Sequence, residues 1–272
     1  MKIIDKTVII LLNICLLVTS IIIPALAIAS DPEYYSQQFE KNEIYLHENK
    51  YGDKIMTTIY FIDGNEELCA QFTDTQLDII AMHIIDYLFN GKDSFALVMD
   101  DVLLNEVETD GVSLFGDTAV SHMKDVKNLM LTAKIAAIIC SVLLIASIVF
   151  IILRRRNIGK YALKYTAMFY SVIGGFALIF CLLTFIEGLI LPYRLSPPLY
   201  ANLIWRNLHY LLFPFQPEKI ANSFFNDTLT FVLTVDLFVD AVVRIVVICL
   251  CSVFIWLGLS TILKALYSKS SN

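Results

Sequence analysis

Histidine is scarce in this 272-residue chain, with four copies at His47, His83, His122 and His209. None sits in a His-Glu-x-x-His motif or at zinc-site spacing with another His or a Cys. No metal or cofactor is therefore expected. A glycine-rich phosphate loop, a Gly-x-Ser-x-Gly elbow and a kinase signature are all missing. Cysteine supplies no disulfide framework. Cys15, Cys140, Cys181, Cys249 and Cys251 lie in apolar runs, which leaves Cys69 alone outside them. Leu12-Asn13-Ile14 before Cys15 is not a lipidation box, so the chain is not marked as a lipoprotein itself. Charged residues make up only 17% and the net charge is −6, which argues against nucleic acid as a partner. Internal repeats and low-complexity tracts are missing too.

Apolar residues are abundant instead, at 57%, against 45–50% in an ordinary soluble domain. They gather in four runs: Val8–Ala29, Ile135–Leu153, about Tyr161–Leu191 and Ile245–Leu263. Three are near the roughly 20 residues a spanning helix needs, and the run from Tyr161 is longer. In lipid every backbone polar group must be paired internally, so these runs read as helices. Three basic clusters adjoin them: Lys2 and Lys6; Arg154, Arg155, Arg156, Lys160 and Lys164; Lys264 and Lys269. With four spans all three fall on one side, which is cytoplasmic, as are both termini. Between Asp31 and Met130 there are 20 acidic residues and six lysines, so an acidic domain over 31–130 lies outside the cell membrane. Pro24 to Ser30 also has the small-residue look of a signal-peptidase site. A retained first helix is the main expectation and its cleavage the alternative.

The expected architecture is a mainly α membrane protein with four transmembrane helices and a small α+β extracytoplasmic domain between spans one and two. Its segments are 1–30 (first span), 31–117 (acidic outer domain) and 118–156 (a long helix holding the second span). Then come 157–192 (third span), 193–227 (interfacial aromatic loop) and 228–272 (outer helix extension, fourth span and cytoplasmic tail). Within the outer domain, Asp31–Lys41 reads as a short helix or linker. Ile55–Ile62 and Glu66–Phe72 flank the turn Asp63-Gly64-Asn65 as a hairpin. Thr73 and Gln76 form a capping box opening a helix that Asn90-Gly91 ends. Ser94–Met99 reads as a short strand and Asp100–Gly116 as an acidic loop. Helices are expected from Asp117-Thr118 to Arg156, and from Thr228 to about Leu266.

His122 stands on the long second helix, just above the membrane. His209 stands in the Pro- and aromatic-rich loop expected at the same depth, so the two can meet at one site. Asp125, three residues on, shares a helix face with His122 and can orient its imidazole. His83 and His47 read as packing or surface residues. Asp236, Asp240 and Arg244 follow at i, i+4 and i+8. An Asp240–Arg244 pair there is either a functional group near the membrane or an ion pair that solvates the helix end. Glu187, Arg194 and Arg206 cluster near the same surface, where an arginine can hold a lipid phosphate or simply anchor the interface. Lys127, Arg206, Asp240 and Arg244 are the candidate substrate contacts.

Three stretches carry a family resemblance: Ile85-Asp86-Tyr87-Leu88-Phe89-Asn90-Gly91, Ser121-His122-Met123-Lys124-Asp125-Val126-Lys127, and His209-Tyr210-Leu211-Leu212-Phe213-Pro214-Phe215. With the four-span layout they resemble the Lit family of Gram-positive lipoprotein intramolecular transacylases. Pro217 to Ser223 departs from the family's shorter segment. The resemblance implies that the partner is a diacylglyceryl-modified lipoprotein or membrane lipid. It further implies that the sn-2 acyl chain moves to the cysteine α-amine, with two catalytic histidines mapping to His122 and His209. Other readings stay open. They are a metallohydrolase or phospholipid acyltransferase using the same histidines, or a non-enzymatic sensor or accessory protein with a partner-binding outer domain.

Overall fold

The computed structural model describes residues 3–41, 47–48, 54–62, 66–104, 107–153, 163–175, 229, 232–233 and 235–269. It is mainly helical with a small sheet region. Among the described residues three helices are long and apolar enough to cross a membrane, over Ile3–Ala29, Ala119–Leu153 and Leu237–Ile262. Of the third apolar run, 163–175 is helical, and the remainder lies outside the described residues. The described residues fall into two compact units.

The first unit draws on Met1–Ile23, Ile135–Pro214 and Ile245–Asn272. It holds most of helix α1 (Ile3–Ala29) and the C-terminal part of helix α4 (Asp117–Leu153). Its small core is Ile9, Leu12, Ile151 and Trp256, with Leu16, Leu144 and Tyr165 packed against it. Other apolar side chains point outward, among them Ile138, Val142 and Ile145 on α4. Such outward apolar faces suit helices whose surroundings are lipid. Some polar side chains here bond the backbone one turn back: Asn13 Nδ2 donates to Ile9 O at 2.7 Å and Thr19 Oγ1 to Cys15 O at 2.8 Å. Bonds between helices include Ser20 Oγ to Cys249 Sγ at 3.3 Å and Trp256 Nε1 to Thr166 Oγ1 at 3.1 Å.

The second unit draws on Pro24–Lys134 and Phe215–Arg244. Helix α2 (Pro32–Lys41) buries Tyr34, Tyr35, Gln38 and Phe39, one stripe at helical spacing. Strands β2 (Lys54–Ile62) and β3 (Glu66–Thr73) form the expected hairpin, in register from Ile55↔Thr73 to Ile62↔Glu66. With β1 (His47–Glu48), β5 (Val102–Leu104) and β6 (Val107–Thr109) they make a five-stranded antiparallel sheet, order β1-β2-β3-β5-β6. Strands β4 (Val98–Met99) and β7 (Val112–Ser113) pair separately. Helix α3 (Asp74–Phe89) opens on the capping box: Thr73 Oγ1 accepts from Gln76 N, and the Gln76 side chain accepts from Thr73 N. It closes where Asn90 N and Lys92 N both reach Asp86 O, with Gly91 at φ +85 in the left-handed region that glycine occupies without strain. The core of this unit runs from Tyr34 and Phe39 through Phe72, Ile80, Ile84 and Phe95 to Met123.

Two expectations need correction. Asp100–Gly116 is not a loop, because it carries β5, β6 and β7. Val102, Leu104 and Val112 turn inward while Asp100, Asp101, Glu108 and Asp110 stay in water. The last helix does not run unbroken from Thr228. Leu229 and Val232 are helical, Leu233 is a bend, and helix α5 is Val235–Lys269. Leu229 and Val232 are buried in the core of this unit. The turn before the bend is therefore fixed by tertiary packing, which local sequence does not specify.

Candidate active site

The long second helix is present as α4, 37 residues or about 56 Å at 1.5 Å per residue. In its first turns Ala119, Met123, Val126 and Met130 face the core of the second unit. This i, i+4, i+7, i+11 stripe sets the rotation of the helix. It leaves His122 and Asp125 together on one flank, both half-buried. Lys127 lies five residues past His122, about 140° further round.

That other flank is anchored on α3. Lys127 Nζ donates to Lys92 O at 2.6 Å and lies 4.4 Å from the centre of the Tyr87 ring. Lys127, expected as a substrate contact, is thus engaged within the protein, where it ties α4 to the end of α3. Burial raises the Tyr87 hydroxyl pKa, and the negative charge of Asp125 adds to the rise.

Behind this contact lies His83, buried among aromatic rings. Its ring centroid is 5.4 Å from Phe95 and 6.2 Å from Phe115, nearly parallel to the latter. Nε2 bonds the Phe95 carbonyl at 2.8 Å, and Nδ1 bonds Lys92 Nζ at 2.8 Å. The carbonyl can only accept and the ammonium can only donate, so the ring is neutral with its proton on Nε2. Burial is the main cause that lowers its pKa; the nearby Lys92 charge works in the same direction. His83 is a core residue whose polar ends are both occupied.

A second cluster surrounds Asp240 near the start of α5. Lys41 Nζ lies 2.7 Å from Oδ1 and Arg244 Nε 2.7 Å from Oδ2. Gln38 Nε2 also donates to Oδ2, at 3.1 Å. The Arg244 guanidinium lies over the Tyr34 ring at 5.0 Å, and the Tyr34 hydroxyl donates to Leu237 O. Burial and the Asp240 charge push the Tyr34 pKa up to about 12. The Asp240–Arg244 pair was legible from i, i+4 spacing. Its partners on α2 were not, although the Tyr34, Tyr35, Gln38, Phe39 stripe was a signal that α2 docks somewhere. The side chain of Asp236 and residues His209 and Arg206 lie outside the described residues. Within those residues, no group of three or more His, Cys, Asp or Glu could hold a metal ion.

A family model described as lipoprotein intramolecular transacylase Lit matches residues 7–189. No curated protein sequence matches the chain. Among solved structures, the membrane-integral lipoprotein intramolecular transacylase Lit from Bacillus cereus is similar with a TM-score of 0.61 and 12% identity, covering 99% of each chain. A histidine-to-arginine variant of that protein is similar with a TM-score of 0.59 and 13% identity, covering 98% of this chain and 95% of that one. At such identity the structures speak for the fold, and the family model, spanning most of the chain, speaks for kinship. The chain belongs to the Lit family of lipoprotein intramolecular transacylases, membrane-embedded acyltransferases of Gram-positive bacteria that act on lipoproteins.

Proposed function

We propose that this chain moves the sn-2 acyl chain of a diacylglyceryl-cysteine lipoprotein to its α-amino group, with His122 and His209 as acid/base catalysts. The observation that supports it best is His122 and Asp125 together on one flank of α4, inside the matched segment 7–189. An α-amine has an ordinary pKa of about 7.7–8.0, so an imidazole can take its proton at little cost. The neutral amine attacks the sn-2 ester carbonyl and forms a tetrahedral oxyanion. Collapse breaks the ester bond to the glyceryl oxygen, which leaves with a proton. His122 is the base, oriented by Asp125, and His209 assists the oxyanion and the leaving group. The amide forms as the ester breaks, and no acyl-enzyme is needed. Both reacting groups belong to one substrate, so holding them in line lowers the entropic cost of their meeting.

The same reading has four spans, both termini in the cytoplasm, and residues 31–130 on the outer face, with the site at the outer membrane interface. Arg206 then stands at the headgroup level beside His209.

A purified-protein assay tests the chemistry. A synthetic diacylglyceryl lipopeptide with a free α-amine should gain an N-acyl group and lose its sn-2 ester, with no change in mass. An N-acetylated copy of the same lipopeptide should not react. Consumption of the N-acetylated peptide would contradict transfer to the amine.

A further inference from the structure

Asp240 holds two cations at once, Lys41 on one carboxylate oxygen and Arg244 on the other, each at 2.7 Å. Among the described residues, one negative charge here faces two positive ones, an excess of a single positive charge. Both cations are open to a ligand, with side chains 60% and 45% exposed against 19% for Asp240. The trio is also built into the protein. The Gln38 carboxamide, 1% exposed, donates to Asp240, and the Tyr34 ring carries the guanidinium. Arg244 spends Nε on Asp240, and a guanidinium carries further N–H donors on its two terminal nitrogens. The Lys41 ammonium has further N–H donors beyond the one it gives to Asp240.

The surroundings select the ligand. Val239, Val242 and Val243 beside Arg244 are each more than half exposed, and Val246 and Val247 continue that exposure along α5. Arg244 thus stands within an outward-facing apolar stretch of a candidate membrane span. Segment 31–130 carries 20 acids, six lysines and no arginine, so the Lys41–Arg244 pair is a positive spot on an acidic background.

We propose that Lys41 and Arg244, clamped on Asp240, seat the phosphodiester of a membrane phospholipid headgroup. A phosphodiester carries one negative charge, matching the one left over here, and its oxygens accept the guanidinium fork. The seat would hold the second unit against the headgroup layer. This goes beyond acyl transfer, since the diacylglyceryl-cysteine substrate has no phosphate. Its test reads lipid binding, so its failure leaves the transacylase assay untouched.

The test uses full-length protein in neutral detergent, titrated in native mass spectrometry with phosphatidylglycerol and with diacylglycerol of the same chains. Wild-type protein should retain phosphatidylglycerol over diacylglycerol. Arg244→Gln and Lys41→Gln should each weaken phosphatidylglycerol about fivefold, the scale of one exposed charge pair, with diacylglycerol unchanged. Arg244→Lys should fall between wild type and Arg244→Gln. Lys41 is largely exposed, so Lys41→Gln keeps the test alive if Arg244→Gln does not purify. Equal phosphatidylglycerol binding by wild type and both Gln variants would reduce the cluster to an ion pair that solvates a helix end. Displacement of the lipid by excess inorganic phosphate would assign the seat to aqueous phosphate and overturn the lipid source.

Discussion

His122 and His83 show how differently one residue type is used in one unit. His122 lies half-buried beside a carboxylate three residues away, and His83 is enclosed by Phe95 and Phe115 with both nitrogens occupied. If His122 is the base, His122→Ala should cut turnover by about 10²–10⁴-fold, the range for a positioned proton carrier. Asp125→Asn should cut it about tenfold, the scale of one charge-assisted hydrogen bond. Turnover of the synthetic lipopeptide measures both. His83 makes a prediction about stability. Folding lowers its pKa, so below its unfolded value of about 6.5 the unfolded chain binds more protons than the folded one. Its contribution is complete above that pH and is lost as pH falls. Thermal unfolding of the detergent-solubilised protein should therefore show a smaller loss of Tm between neutral and mildly acid pH in His83→Gln than in wild type. Parallel slopes would contradict a neutral buried imidazole.

At the scale of elements, the hairpin and α3 were readable because their signals are local. Eight strand-forming residues, a turn, and Thr73 with Gln76 three residues on suffice to place them. The strands within Asp100–Gly116 were hidden because each is two or three residues long, and over the whole stretch five acids outnumber three valines. The bend at Leu233 was hidden because a helix interrupted by tertiary packing leaves no glycine or proline to mark it. The docking of α2 on α5 was likewise invisible, since Gln38 and Asp240 stand 202 residues apart. Local devices give local predictions. Thr73→Ala removes the cap of α3 and should cost about 1 kcal/mol of stability. Tyr34→Phe removes one hydrogen bond between α2 and α5 and should cost about 1 kcal/mol too. Denaturant midpoints of the two variants, compared with an exposed control such as Lys124→Ala, measure both losses.

At the scale of the whole molecule, apolar runs and basic flanks made the membrane class legible, and three long apolar helices stand among the described residues. The family, too, was legible in short strings around Asp86 and His122, and the match over 7–189 contains both. That His122 works with His209 is a proposal, and no local spacing in the sequence specifies it. The proposed function rests on both histidines, and lipoprotein N-termini report on them directly. Mass spectrometry of these termini should be run in a bacterial host stripped of its own N-acyltransferase, expressing wild type, His122→Ala or His209→Ala at matched membrane levels. The account predicts lyso-form, N-acylated cysteine peptides with wild type and none with either variant. Diacylglyceryl peptides with free amines in all three strains, or N-acylation that survives either substitution, would contradict it.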